Sequence, residues 1–268
     1  MRILLTGANG FLGSSLAEHW RALGHEVRDS GGCRLGEELP CALPAGCDAV
    51  IHLAHDFAPN AAAVNMQGTM SWFEAASRAG VRWQVFVSSF SARPDSLSSY
   101  GSAKYAIEQH VLEQGATVVR PGLVAGNGGM FARMVRTLHR LPVAPLVLPD
   151  ARSVAVISLS DFLEAMTKLM VECATGPFNL FCPALLTGRE FTHAIWSAMG
   201  KKGLVIEVPP SVAIACLRLT GASSALDSVR GQLANAVPIH RGDLASLILR
   251  PTDPAVAVTC AARGVVND

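Results

Sequence analysis

Ile3-Leu4-Leu5-Thr6-Gly7-Ala8-Asn9-Gly10-Phe11-Leu12-Gly13 opens the chain with an apolar run that breaks into glycines and resumes with helical spacing. The short continuous run reads as a buried strand, and Phe11 to Leu23 keeps its apolar residues on one helical stripe before Gly24. Strand, glycine turn and helix, in that order, predict the first unit of a parallel sheet. Gly7, Gly10 and Gly13 stand at three-residue intervals. A first glycine permits the tight turn, a second lets a pyrophosphate approach the backbone, and a third lets the helix pack closely. Phosphate would then rest on the outward-pointing amides of the helix N-terminus. A turn with a purely structural purpose is the alternative.

Working outward, His25 to Arg28 is short and strand-like, and Gly31-Gly32 ends it. Residues 33–48 hold two prolines and three cysteines and read as a loop with at most a brief helix, little material for one crossover. Ala49 to Ala54 is a strand, Ala61 to Ala79 a helix closed by Gly80, and Gln84 to Ser89 a strand ending in hydroxyls. A helix follows from Tyr100 to Gln114, then a strand from Thr117 to Arg120, halted by Pro121 and Gly122. This alternation predicts an α/β fold, a doubly wound parallel sheet with right-handed crossovers.

Beyond Gly122 the rhythm loosens. Gly128 to Arg140, Asp161 to Glu172, Thr187 to Met199 and Ser211 to Leu219 read as helices; Val154 to Ile157, Phe178 to Phe181 and Leu204 to Val208 read as extended. The expected division is an NAD(P)-binding domain over residues 1–182, to which 154–182 returns, and a smaller substrate-binding lobe from 123–153 and 183–268.

With 22 basic against 21 acidic residues and no basic cluster, the composition offers no footprint for nucleic acid. Seven scattered cysteines, without a Cys-x-x-Cys pair, read as free cytosolic thiols. Met1 leads directly into the first strand, which leaves no room for a targeting segment, and a cytoplasmic location is expected. The apolar stretch Val208 to Leu219 is shorter than the ~20 residues needed to span a bilayer. No membrane partner is expected, although this stretch could pack against a partner.

Tyr100 and Lys104 lie four residues apart, one turn along the same helix face. A phenol, ordinarily ionising near 10, becomes useful at neutrality when a neighbouring cation favours its phenolate, and Lys104 can supply that field while binding ribose hydroxyls. Ser89, at a strand's C-terminal end, can fix a substrate oxygen there. Tyr105 is adjacent to Lys104, out of register for this role. For the second phosphate of a dinucleotide, Asp29 would favour NAD, whereas Arg28 or Arg34 would favour NADP, and the balance leans to NADP. His52 reads as a core or cofactor-side histidine; with His55 and Asp56 it makes no convincing metal site, and no metal is expected. Phe131, Met134 and Leu138 form either a core stripe or a pocket wall. Arg133, Arg136 and Arg140 form either a solvated face or an anion contact, Arg133 being the candidate for substrate. Trp72 and Phe73 serve either a homodimer interface or internal packing.

Taken together, these motifs resemble the extended branch of the short-chain dehydrogenase/reductase superfamily, the NAD-dependent epimerase/dehydratase family, over residues 1 to about 182. The resemblance implies cofactor contacts from Thr6, Gly7, Asn9, Gly10, Phe11, Leu12 and Gly13 in the glycine turn. It implies others from Leu53 and Ala54 in His52-Leu53-Ala54, from Asn65 in Asn65-Met66-Gln67-Gly68-Thr69, and from Arg120 and Pro121 in Val119-Arg120-Pro121-Gly122. Ser89, Tyr100 and Lys104 match the catalytic serine, tyrosine and lysine, and Arg230 falls where relatives grip substrate phosphates. Ser89, Phe90 and Tyr100 are expected to face substrate. Only ten residues separate Ser89 from Tyr100, and Phe90-Ser91 stands where sugar dehydratases carry an acidic pair, so dehydration is not expected. The resulting expectation is an NAD(P)-dependent oxidoreductase acting on a carbonyl, an alcohol or a nucleotide sugar. An epimerase retaining its NAD, and a non-catalytic NAD(P)-binding scaffold or redox sensor, remain as alternatives.

Overall fold

Ile3, Leu4 and Leu5 are fully buried, and the main sheet extends to both sides of their strand. The protein is described from a computed structural model covering residues 1–267 except 41, 59, 148–149, 202–203, 222 and 236–239. Its strands are β1 (Arg2–Thr6), β2 (Glu26–Asp29), β3 (Ala49–His52), β4 (Trp83–Val87), β5 (Thr117–Pro121), β6 (Leu123–Ala125), β7 (Val143–Leu146), β8 (Arg152–Val154), β9 (Val156–Ser158), β10 (Gly176–Leu180), β11 (Leu186–Thr187) and β12 (Leu204–Glu207). Its helices are α1 (Phe11–Ala22), α2 (Ala62–Arg78), α3 (Ser99–Glu113), α4 (Gly129–Arg140), α5 (Leu159–Glu172), α6 (Gly188–Ala198), α7 (Pro210–Leu219), α8 (Ser223–Asn235), α9 (Leu244–Leu247) and α10 (Pro254–Asn267).

The main sheet is parallel and six-stranded, in the order β10-β5-β4-β3-β1-β2. Helices α1 and α5 cover one face, where Leu16, Trp20, Phe162 and Met166 join the largest core. The Trp20 indole donates to Thr167 Oγ1 at 2.9 Å and ties the two helices together. On the other face α2 and α3 bury Phe73, Ile107 and Val111 against Phe86 and Val118. The expected doubly wound sheet is therefore present. Of the two readings of Trp72 and Phe73, internal packing is the one observed: Trp72 is buried with Leu4, Leu39 and Val50, and Phe73 with Phe86 and Ile107.

The 33–48 loop joins β2 to β3 beneath β1 with no helix among its described residues. Pro40 and Pro44 start turns closed by Leu43 and Cys47, and Gly36 and Gly46 have positive φ, so no helix propagates. Leu39 and Cys47 instead pack on Leu4, Val50 and Trp72, with Leu35 and Leu43 alongside. The Trp72 indole donates to the Glu37 carbonyl at 2.8 Å. Irregular backbone thus performs the covering role of the absent helix.

Beyond the main sheet a second core joins Phe131 and Val135 of α4, Phe191 and Ile195 of α6, and Val258 and Ala262 of α10. Strands β6 and β9 pair beside it, and α5 then returns the chain to β10 at the sheet edge. Sequence periodicity did not anticipate α8 or α10.

Leu39 is 1% exposed. Truncation to alanine is expected to lower the unfolding free energy by about 2–4 kcal/mol, the usual range for a filled core position. Urea denaturation checks this, and a change under about 0.5 kcal/mol would mean that the loop is not packed as described.

Candidate active site

The strand order reverses between β1 and β3, and ligands of open α/β sheets bind in the crevice beyond such strand ends. Gly7 lies there with φ +71°, and a Cβ on it would come within 2.8 Å of the Ala54 amide. At Gly13 a Cβ would collide with the Gly7 carbonyl, so α1 can approach the turn only because this residue has no side chain. Gly10 caps α1 with no side-chain hydrogen bond, and its first turn has no acidic residue. Those features leave a cradle of backbone amides suited to a dinucleotide diphosphate. Asn9 and Gly10 are exposed at its rim, and Leu12 packs on the core.

Thr6 is placed differently from a ligand contact. It is buried, and its hydroxyl accepts hydrogen bonds from the Leu53 and Ala54 amides at 3.1 and 3.2 Å, fixing the end of β3 against the glycine turn. The Phe11 ring faces Gly126, Gly128 and Gly129, where a Cβ at any of the three would strike it. Asn65 is also buried: its carbonyl accepts from the Asp56 amide at 2.7 Å and its NH2 donates to the Asp56 carbonyl at 2.8 Å. These residues shape the crevice from behind.

Ser89 lies just past β4, and α3 brings Tyr100 onto it. Ser98 caps α3, its hydroxyl accepting from the Gly101 amide at 3.0 Å. A Cβ at Gly101 would collide with the Ser91 carbonyl and Ser96 Oγ, so the short loop folds tightly over the helix start. The Tyr100 phenol stands beside Ser89, and burial pushes its pKa up despite the opposing influence of that hydroxyl. Lys104 Nζ donates to the Val87 carbonyl at 2.9 Å and stands 4.7 Å from the centre of the Phe86 ring and 5.9 Å from that of Tyr100. Burial lowers its pKa to about 8, with Glu108 opposing the shift. The expectation that Lys104 draws the phenol toward ionisation is thus corrected: desolvation dominates, and the phenol is held protonated.

Other expected contacts are placed elsewhere. The Arg120 guanidinium is occupied by Glu108, with Nε 3.0 Å from both carboxylate oxygens and Nη2 2.6 Å from Oε2, and Nη1 reaches Asn179 at 3.4 Å. Pro121 is buried in β5, its carbonyl accepting from the Phe90 amide. Phe90 packs edge-on against Phe181 with ring centres 5.0 Å apart, which gives it a core role rather than a substrate wall. Arg133 is exposed on α4 in the lobe, apart from the Tyr100 group. Arg230 lies on α8, one turn beyond Asp227. Arg34 is exposed in the 33–48 loop; Arg28 pairs with Glu26 at 2.7 Å, and Asp29 accepts from the Gly31 amide.

Several residues here were not anticipated as site residues. The His55 ring meets Tyr100 edge-on at 5.0 Å and Phe57 at 4.8 Å. Burial, reinforced by Lys104, lowers its pKa to about 4, so it is neutral at physiological pH. Its position just past β3 was the available sequence signal. Asp227 reaches from α8 to accept the Ser99 amide at 2.8 Å and the Tyr100 amide at 3.5 Å. Asn235 donates to Ser91 Oγ, and His240 Nε2 to the Ala92 carbonyl. These long-range latches between lobe and loop leave no local signature in a sequence. His52 is a core residue, 3.0 Å from Gln84 Oε1, as one of its two readings held.

No family model matches the chain. It is 31% identical over 245 residues to the ceramide reductase of Caulobacter vibrioides, spanning 77% of this chain and 73% of that one. The chain belongs to the extended short-chain dehydrogenase/reductase family. An uncharacterized protein of Mycobacterium tuberculosis is 26% identical, with 74% of this chain matching 24% of its length. Among solved structures, RMD from Pseudomonas aeruginosa complexed with NADPH superposes with a TM-score of 0.71 at 17% identity over the whole of both chains. A UDP-galactose 4-epimerase gives 0.69 at 20% identity over 100% of this chain and 99% of its own. These two show the common fold. Family membership carries the general chemistry: the protein is an NAD(P)-dependent oxidoreductase or epimerase.

Burial brings the deprotonation of Lys104 to about pH 8, and its ammonium would hold a ribose hydroxyl more strongly than its neutral amine would. A lysine with a depressed pKa is charged below that value and neutral above it, so dinucleotide affinity is expected to weaken as pH rises through about 8. Calorimetric titration of NADPH at a series of pH values checks this; affinity unchanged through about pH 9.5 would exclude a charged Lys104 from binding.

Proposed function

We propose that the protein is an NADPH-dependent reductase acting on a carbonyl carried by an amphipathic, long-chain substrate. The observation that carries the reading is the juxtaposition of Tyr100 and Lys104, one turn apart on α3 with Nζ 5.9 Å from the phenol ring, beside Ser89 just past β4. A neutral phenol in that position is a proton donor ready for a carbonyl oxygen, which is what reduction requires.

A reduced nicotinamide bound in the crevice supplies hydride. The Ser89 hydroxyl orients the carbonyl oxygen, and Tyr100 transfers its proton to that oxygen as the carbon is reduced, leaving a phenolate that Lys104 stabilises. Lys104 spends one of its three N–H donors on Val87 and has others for ribose hydroxyls. His55, neutral and edge-on to Tyr100, completes the wall without adding a competing charge. Arg34, exposed and without an ion-pair partner among the described residues, is the side chain proposed to meet the ribose phosphate of NADPH.

Two features support the substrate class. The curated relative is a reductase of ceramide by name. Exposed apolar side chains stand on the segments that carry His55 and Tyr100: Phe57, edge-on to His55, is 73% exposed, and Leu97, one residue before the α3 cap, is 57% exposed. A nucleotide sugar would call for charged or hydrogen-bonding groups at those places. Between Ser89 and Tyr100 the sole acidic residue, Asp95, is paired with Arg93, which leaves no free acid for dehydration.

The test is NADPH oxidation followed at 340 nm with 3-keto lipids, short soluble ketones and nucleotide sugars, repeated with NADH. The proposal expects turnover on the keto lipids, a preference for NADPH, and a loss of about 10²–10⁴-fold in Tyr100→Phe with NADPH binding retained. Turnover confined to nucleotide sugars would favour the epimerase reading. Equal turnover in wild type and variant would remove Tyr100 from the chemistry.

A further inference from the structure

Helix α7 is the least explained element of the fold. Its sequence, Pro210-Ser-Val-Ala-Ile-Ala-Cys-Leu-Arg-Leu219, is apolar almost throughout, yet none of its residues is buried. Val212 is 49% exposed and Leu219 88% exposed, and Leu204 and Ile206 on the preceding strand β12 are also exposed. Apolar surface gathered on one element in this way marks a place where something other than water is met.

Charge and position select among occupants. From Val208 to Leu226 the chain has a single charged side chain, Arg218, and no acidic one. The helix thus offers an exposed apolar surface to acyl chains and, one residue from its end, the exposed cation Arg218 to a headgroup phosphate. Helix α7 packs on α8. Helix α8 in turn grips the start of the Tyr100 helix through Asp227, and a Cβ at Gly231 would lie 3.8 Å from Ser98. The apolar helix is thereby joined through α8 to the start of the helix that carries Tyr100. No helix among the described residues is long and apolar enough to cross a membrane, so the contact would be with the lipid surface.

We propose that α7 is an interfacial docking helix that seats the α7–α8 hairpin on a lipid bilayer and presents the Tyr100 cleft to substrate held there. The proposal rests on the reductase reading for its purpose: an amphipathic carbonyl compound resides in the bilayer rather than in water, and docking would spare it a passage through solvent.

The experiment is flotation of the full chain with vesicles of phosphatidylcholine, with and without about 30 mol% phosphatidylglycerol. Wild type is compared with a Val212→Asp, Leu219→Asp double variant, both sites being exposed and outside the cleft. Reduction of a short soluble ketone is measured in parallel. The proposal expects wild type to float, the double variant to lose binding by about 10-fold or more, the anionic lipid to strengthen wild-type binding, and soluble-ketone turnover to be the same in both. Wild type that stays with the soluble fraction, or a double variant that floats equally well, would overturn docking through α7. So would a vesicle-indifferent wild type whose dimer, seen by sedimentation velocity, is broken by the double substitution, since a second copy would then cover the helix. Failure of both proteins to reduce any ketone would count against the reductase reading, while the flotation arm still decides the docking.

Discussion

The seating of the Tyr100 phenol beside Ser89 brings the start of α3 to the end of β4, and much of the surrounding structure serves to keep it in place. Gly101 lets the intervening loop fold onto the helix, Ser98 caps that helix from within, and Asp227 accepts amides at the same terminus from the lobe. A carboxylate at a helix N-terminus is favoured by the helix dipole as well as by the hydrogen bonds it accepts. Burial raises the pKa of the phenol, which is accordingly neutral at physiological pH.

Charge inside the domain is arranged with equal economy. Glu108 is fully buried one turn beyond Lys104 and is matched by Arg120, which also reaches Asn179, itself held by Asp243 of the lobe. Removing one member of such a buried pair typically costs about 3–5 kcal/mol, because the other is left uncompensated. Arg120 is therefore better understood as a fixture that steadies the α3–β5 seam than as a free cation in the crevice. The glycine turn has the same character: Thr6 and Gly13 shape the cradle from inside, and the amides at its rim are left to bind.

The parallel sheet and the glycine turn were legible because they follow from local patterns: apolar runs, helical stripes, and glycines where a side chain would collide. Tyr100, Lys104 and Ser89 were legible because helix and strand-end geometry fix their relation over a short span. Other features depend on distance in sequence. His55, Asp227, Asn235 and His240 approach the site only once strands and lobe are assembled, and nothing near them in the chain announces it. Arg120 and Phe90 were expected to face a ligand because their motif position was readable while their partners, Glu108 and Phe181, were not. The protonation preference of Tyr100 was read with the wrong sign because a nearby cation can be seen in sequence, whereas desolvation requires the packed structure.

The account turns on a phenol that stays protonated in its cleft, and the chain contains only two tyrosines, Tyr100 and Tyr105. Ultraviolet difference titration of the cofactor-free protein against Tyr100→Phe isolates the ionisation of that single ring. The account predicts that the missing step in the variant lies above the ordinary tyrosine value of about 10. A step near neutral pH would contradict it, since Tyr100 would then already be a phenolate and could not be the proton donor.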